Sequence, residues 1–178
     1  MRAIRDYVGY ELEWVRSRWF RGEYELRLGG GEPLAYLRMH GGLRAEASLV
    51  DGNFSLRRKG FWKPKLLITQ TETQLPVAEL SRVGSGGTLD FADGQTQQYV
   101  WRKAGTLSTE YFWVDSAGWP VLHIYPSMWK FSAKVAFEPV ASQIGEIGLL
   151  TLLAGFLAII AYQESAATVT ATAIMTAG

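Results

Sequence analysis

Apolar and polar residues alternate along most of the chain, from about residue 12 to residue 138. In the segment 23–28, which reads EYELRL, Tyr24, Leu26 and Leu28 fall on one face and the charged residues fall on the other. A period of two is that of a β-strand with one buried face. The alternation therefore predicts an all-β domain.

Short turn sequences separate the alternating runs, among them GGGEP at 29–33, Asp51-Gly52, GSGG at 84–87 and Asp93-Gly94. An Asp-Gly pair between such runs is a strong hairpin signal, because glycine accepts a positive φ. The pattern predicts twelve strands, at about 12–20, 23–28, 33–39, 43–49, 53–59, 65–71, 76–82, 87–92, 97–103, 110–115, 120–125 and 133–138. Strands at this spacing indicate an antiparallel meander that closes as a barrel or folds as a sandwich.

The pattern changes after Pro139, and the segment 147–162 reads IGLLTLLAGFLAIIAY without a charged residue. A helix that is apolar on all sides must be surrounded by lipid or by protein. As a helix these residues span ~24 Å, which is short of the bilayer core of about 30 Å. A barrel of twelve strands leaves a wide lumen. We therefore predict a helix over about 143–162 that fills the barrel, with a transmembrane helix over about 144–162 as the alternative.

These elements predict one domain over residues 1–162, an all-β, twelve-stranded antiparallel closed barrel threaded by a C-terminal hydrophobic helix. The length of 178 residues suits a single domain with a substantial core. Residues 163–178 are rich in Ala and Thr, and we predict a low-complexity tail to which the sequence assigns no firm structure.

Composition and motifs argue against catalysis and metal binding. The chain has no Cys, which excludes disulfides, thiolate metal sites and cysteine nucleophiles. Of the two histidines, His40 lies in a predicted turn, and we expect His123 to be an outward or fully partnered strand residue. Their spacing fits no zinc site. We therefore predict no enzyme activity, no metal and no cofactor.

Charge gives the chain no general attraction to nucleic acid, since 18 Lys and Arg nearly balance 17 Asp and Glu. The first twenty residues contain early acidic residues and no apolar core, so we expect no signal peptide and a cytoplasmic location. Any binding of anions must come from a local cluster of basic residues.

Such a cluster is the stretch RRKGFWKPK at 57–65, which we call the basic hairpin. Its candidate lipid- or anion-binding residues are Arg57, Arg58, Lys59, Trp62, Lys63 and Lys65, with Phe61 beside them. A second, weaker cluster consists of Arg16, Arg18, Trp19, Phe20 and Arg21. Cations beside exposed indole rings suit the headgroup region of a membrane. The competing interpretation is an edge strand kept soluble by Lys and Arg.

Twelve antiparallel strands that close on a C-terminal hydrophobic helix resemble the tubby C-terminal domain fold, which the phospholipid scramblases and LURP-one-related proteins share. The segments that carry the resemblance are GEYELRLGGGEPLAYL, DGNFSLRRKGFWKPKLLI, DFADGQTQQYVWRKAG, DSAGWPVLHIYP and IGLLTLLAGFLAIIAY. Tubby domains bind phosphoinositide headgroups through basic side chains, so the resemblance implies a similar ligand class. The chain departs from it by lacking the cysteines that carry lipid modification in some scramblases, and by continuing sixteen residues beyond the helix.

The sequence thus predicts a non-enzymatic binding or tethering module that contacts anionic phospholipid headgroups and is peripheral at a membrane surface. A tail-anchored membrane protein with a soluble β domain is the alternative, and a small-molecule carrier of the lipocalin type would need an open lumen. No nucleic-acid partner is expected, and the oligomeric state stays open.

Overall fold

The fold was described from a computed structural model. The structure describes residues 3–17, 22–41, 44–60, 62–83, 86–94, 97–106, 108–127 and 131–176. In the last of these ranges, side chains are described up to residue 165. Four members of the second predicted cluster, Arg18, Trp19, Phe20 and Arg21, and also Phe61 of the basic hairpin, lie outside these residues.

Twelve antiparallel strands form a closed barrel in which each strand pairs with its neighbours in the chain, and β1 pairs with β12 to complete the ring. The strands are β1 Leu12–Arg16, β2 Glu23–Leu28, β3 Pro33–Met39, β4 Arg44–Leu49, β5 Gly52–Lys59, β6 Lys65–Gln70, β7 Pro76–Leu80, β8 Gly86–Phe91, β9 Tyr99–Lys103, β10 Tyr111–Val114, β11 Pro120–Pro126 and β12 Ser132–Phe137. The predicted twelve-stranded closed barrel is confirmed.

One long helix, α1, covers Ile147–Thr176 and passes through the barrel. Every residue from Ile147 to Ile160 is buried, on all sides of the helix. The predicted bounds of the helix were inaccurate at both ends. Residues Pro139–Gln143 form a separate 3-10 helix, and beyond residue 162 no Gly or Pro interrupts the Ala-rich chain, so the helix continues.

The two mouths of the barrel differ in what lies at them. At the entry mouth, where α1 begins, Arg5 of the 3-10 helix Ile4–Tyr7 donates a hydrogen bond to the Gly145 carbonyl over 3.2 Å. At the exit mouth, the ring of Tyr162 lies 5.6 Å from that of Phe131, centroid to centroid. Residues 163–165 beyond it are exposed.

Close contacts between the barrel wall and α1 fix the helix in the lumen. A Cβ atom at Gly155 would lie 2.5 Å from the indole of Trp14, a fully buried residue of β1. On β10, three strands away around the barrel, the indole N–H of Trp113 donates to the Leu150 carbonyl over 3.0 Å. The hydroxyl of Thr151, a buried polar residue on the helix, donates to the Ile147 carbonyl over 2.7 Å. The lumen is therefore a packed core.

The buried Tyr99 should make the stability of this core sensitive to alkaline pH. Its hydroxyl is buried and has no hydrogen-bond partner in the described part of the chain. Burial raises the pKa of Tyr99 far above its usual range, and the carboxylates of Glu146 and Asp115 raise it further. The folded state therefore holds a proton that the unfolded state loses above about pH 10, so folding becomes less favourable as the pH rises through that value.

We expect Tyr99→Phe to reduce this loss. Near neutral pH the free energy of unfolding should stay within about 1 kcal/mol of the wild type, because no protein hydrogen bond is removed. Above about pH 10 the variant should lose less stability than the wild type. Denaturant unfolding at several pH values measures the difference, and parallel pH curves for the two proteins would contradict the assignment to Tyr99.

Candidate anion-binding surface

The basic hairpin is formed by the ends of β5 and β6 and lies at the exit mouth. The two strands pair so that Lys59 faces Lys65 and Arg57 faces Leu67. Leu56 and Leu66 are fully buried against the lumen. Because side chains alternate along a strand, Arg57, Lys59 and Lys65 therefore point outward.

Trp62 and Lys63 occupy the tip of the basic hairpin. Gly60 opens the turn with a φ of +85°, a backbone conformation that favours glycine. The tip is tied to the neighbouring connection between β7 and β8, because the Val83 N–H donates to the Pro64 carbonyl over 2.9 Å. Trp62 is 91% exposed. An indole held out beside an ammonium group is the arrangement that favours the membrane–water interface.

Arg58 lies on the other face of β5, with the inward residues Phe54 and Leu56. It is 23% exposed, and its guanidinium forms an ion pair with Glu164 of α1 at 3.1 Å. The structure therefore separates Arg58 from the outward cations with which the sequence groups it. This residue ties the helix to the exit mouth.

Lys65 is also paired. Its ammonium group lies 2.6 Å from the Glu79 carboxylate on the adjacent strand β7. That hydrogen bond, with the charge of Glu79, holds the pKa of Lys65 above its usual range. The charge of Lys65 is therefore largely neutralised on the outer wall.

Arg57, Lys59 and Lys63 remain without a carboxylate partner among the described residues. A fourth such cation, Arg44, is one that sequence reasoning missed. It is the first residue of β4, is exposed, and lies directly opposite Arg57 on β5. We call these four residues, Arg44 on β4, Arg57 and Lys59 on β5 and Lys63 at the hairpin tip, the unpaired cations.

The unpaired cations are arranged at a cost to the fold. Arg44 opposes Arg57 in a direct cross-strand position. Like charges directly opposite one another destabilise a sheet. This opposition of like charges beside a hairpin tip that carries more cations is poorly explained by solubility alone, and it indicates a surface suited to anions.

Both histidines lie beside carboxylates. His40 Nε2 lies 3.4 Å from a Glu46 carboxylate oxygen at the exposed end of β3. His123 is outward and partnered, as predicted. Its Nδ1 lies 2.6 Å from Glu110 and its Nε2 lies 3.2 Å from Glu138. Within the described ranges, no group of three or more His, Asp or Glu is placed to hold a metal ion.

By length and composition alone, the segment Ile147–Ser165 could cross a membrane. In the structure the part of this segment from Ile147 to Ile160 is buried inside the barrel. The core helix of a soluble protein meets the same criteria.

No protein-family model, curated protein or solved structure matches this chain. The resemblance to tubby-like domains therefore stays a prediction, and the local geometry carries the functional argument.

Proposed function

We propose that this protein is a non-enzymatic module that binds anionic phospholipid headgroups at a membrane surface. The observation that carries the proposal is the set of unpaired cations, Arg44, Arg57, Lys59 and Lys63, which lie on two neighbouring strands and on the hairpin tip that also carries the exposed Trp62. The tubby-like resemblance implies the same ligand class, and we include membership of that family in the proposal.

The size of the cluster is sufficient for reversible binding. A Lys or Arg near an anionic membrane contributes about 1 kcal/mol, so four such residues contribute about 4 kcal/mol before the indole is counted. Trp62 adds an amphipathic ring that favours the headgroup level. Arg58 and Lys65 contribute less, because Glu164 and Glu79 already neutralise them.

The alternative function is that of a tail-anchored protein. The composition of Ile147–Ser165 favours it. To span a bilayer, however, this segment would have to leave the barrel and expose the core residues that now contact it, such as Trp14 and Trp113. The buried position of the helix supports the peripheral module instead. It also fills the space that a lipocalin-type carrier would need.

Flotation with vesicles tests the proposal. We expect the protein to float with vesicles of phosphatidylcholine and phosphatidylserine, and not with phosphatidylcholine alone. Because exposed charges are screened over about 3 Å at 1 M salt, that salt concentration should reduce the fraction of protein that floats. Equal binding to both kinds of vesicle would contradict the proposal. Protein from cell membranes that resists both salt and carbonate extraction would favour the tail anchor.

A further inference from the structure

Charge is divided unequally between the two mouths of the barrel. The strand connections at the entry mouth and the segment 138–146 carry carboxylates and, among their described residues, no Lys or Arg. These carboxylates are Glu32, Asp51, Glu72, Asp93, Asp115, Glu138 and Glu146. Arg5, from the preceding 3-10 helix, is the base that lies beside them. The entry mouth is therefore acidic.

The exit mouth has the opposite character. Arg44, Lys59, Lys63 and Arg82 lie in its described strand ends and connections, and all four are exposed. Of the acidic residues at this mouth, Glu164 is paired with Arg58, Glu23 is paired with Arg38, and Glu110 contacts His123. The molecule is thus polarised along the axis of α1, with its positive end where the helix emerges.

The helix continues beyond this positive end. α1 extends to Thr176, and residues 166–176 read AATVTATAIMT, without a charged residue. Eleven helical residues span ~16 Å, about half of a bilayer core of about 30 Å. An extension of this length and composition suits one leaflet of a bilayer.

We propose that the protein docks end-on, with the exit mouth against an anionic bilayer, α1 along the membrane normal and residues 166–176 in the lipid. This orientation rests on the proposed function and adds a direction to it. The competing geometry is docking by the side wall, through the outer faces of β4 and β5 that carry Arg44 and Arg57.

Electrostatics favours the end-on geometry. The field of an anionic surface decays over about 10 Å at 0.1 M salt, whereas tilted strands of this length make a barrel ~15–20 Å tall. End-on docking therefore places the cations within the field and the acidic entry mouth beyond it. Docking by the side wall would bring part of that acidic mouth close to the anionic surface.

The absence of Cys allows single reporters to be placed in the full chain. Thr106→Cys lies at the exit mouth between β9 and β10, away from the basic hairpin. Ser55→Cys lies on the outer wall of β5, and Ser116→Cys lies at the entry mouth. Ile174→Cys reports on the end of α1. Each is labelled with a polarity-sensitive fluorophore and mixed with phosphatidylserine-containing vesicles.

End-on docking predicts a blue shift of the emission at Thr106 and Ile174, with brominated lipid quenching both, and no change at Ser55 or Ser116. A shift at Ser55 without one at Thr106 would overturn the proposal in favour of side-wall docking. A shift at Ile174 alone would also overturn it, since the barrel would then be held away from the surface. If none of the labelled proteins floats with the vesicles, it is the proposed function that fails, not the orientation.

Discussion

Gly155→Leu should destabilise the protein by about 3 kcal/mol or more, at or above the upper end of the range measured for overpacked cores. The first added atom already conflicts with the fold, because a Cβ at this position would lie 2.5 Å from two atoms of the Trp14 indole. Trp14 is fully buried in β1, so the rigid ring has no exposed space into which it could move. Denaturant unfolding of the purified variant measures the loss.

Gly145→Leu is the matched control. Gly145 is exposed before the start of α1, and a Cβ there would meet no heavy atom within 4 Å. Its unfolding free energy should stay within about 0.5 kcal/mol of the wild type. The stability lost in the double variant Gly155→Leu with Trp14→Ala should be smaller than the sum of the losses in the two single variants, because the two substitutions share one space. Normal stability in Gly155→Leu alone would mean that the helix does not pass Trp14, and the threaded barrel would then be wrong.

The barrel and its threading could be predicted because each follows from a pattern within a short stretch. Alternation over five to eight residues defines a strand with one buried face, as in Glu23–Leu28. The position of the helix in the lumen follows from volume and burial. A barrel of twelve strands has a wide lumen to fill, and a helix that is apolar on all sides must be buried. Both predictions remain correct even when the boundary of a strand or helix is wrong by one or two residues.

Features that depend on register could not be predicted as well. Had Asp51 and Gly52 formed the two central residues of the turn, Arg44 would oppose Lys59. In the structure Leu49 pairs with Gly52 instead, and Arg44 opposes Arg57. A shift of two residues preserves the faces of a strand but changes every partner. The outward position of Arg44 was therefore readable from the sequence, but its neighbour was not.

The inward position of Arg58 can be predicted from the local sequence, although the predicted set groups it with the outward cations. Phe54, Leu56 and Arg58 follow each other at intervals of two residues in β5, so alternation already places Arg58 on the inward face. What the sequence could not show is its partner Glu164, which is 106 residues away in the chain. The outward cations in the structure therefore differ from the predicted set in two residues. Arg58 does not belong to them, and Arg44 does.

Reversing two of the unpaired cations should have the largest effect on membrane binding. Lys59→Glu with Lys63→Glu removes about 1 kcal/mol of attraction for each residue and adds repulsion between the new carboxylates and the lipid headgroups. We expect binding to phosphatidylserine-containing vesicles to weaken by at least about 30-fold, the equivalent of 2 kcal/mol. Neither side chain has a carboxylate partner among the described residues, so folding should be little affected. Lys65 is left intact because it is paired with Glu79.

A control variant separates this local surface from net charge. The double reversal changes the formal net charge by four units, from +1 to −3. Lys134→Glu, Ser116→Glu and Gln143→Glu together make the same change on β12 and at the entry mouth, away from the basic hairpin. If the unpaired cations make the contact, the control should keep most of its affinity. Ser116 and Gln143 lie at the entry mouth, beyond the reach of the screened surface field, and Lys134 is paired with Glu11 and is not one of the unpaired cations. Equal losses in the two variants would mean that the membrane responds to the charge of the whole protein, and the unpaired cations would not be a binding site.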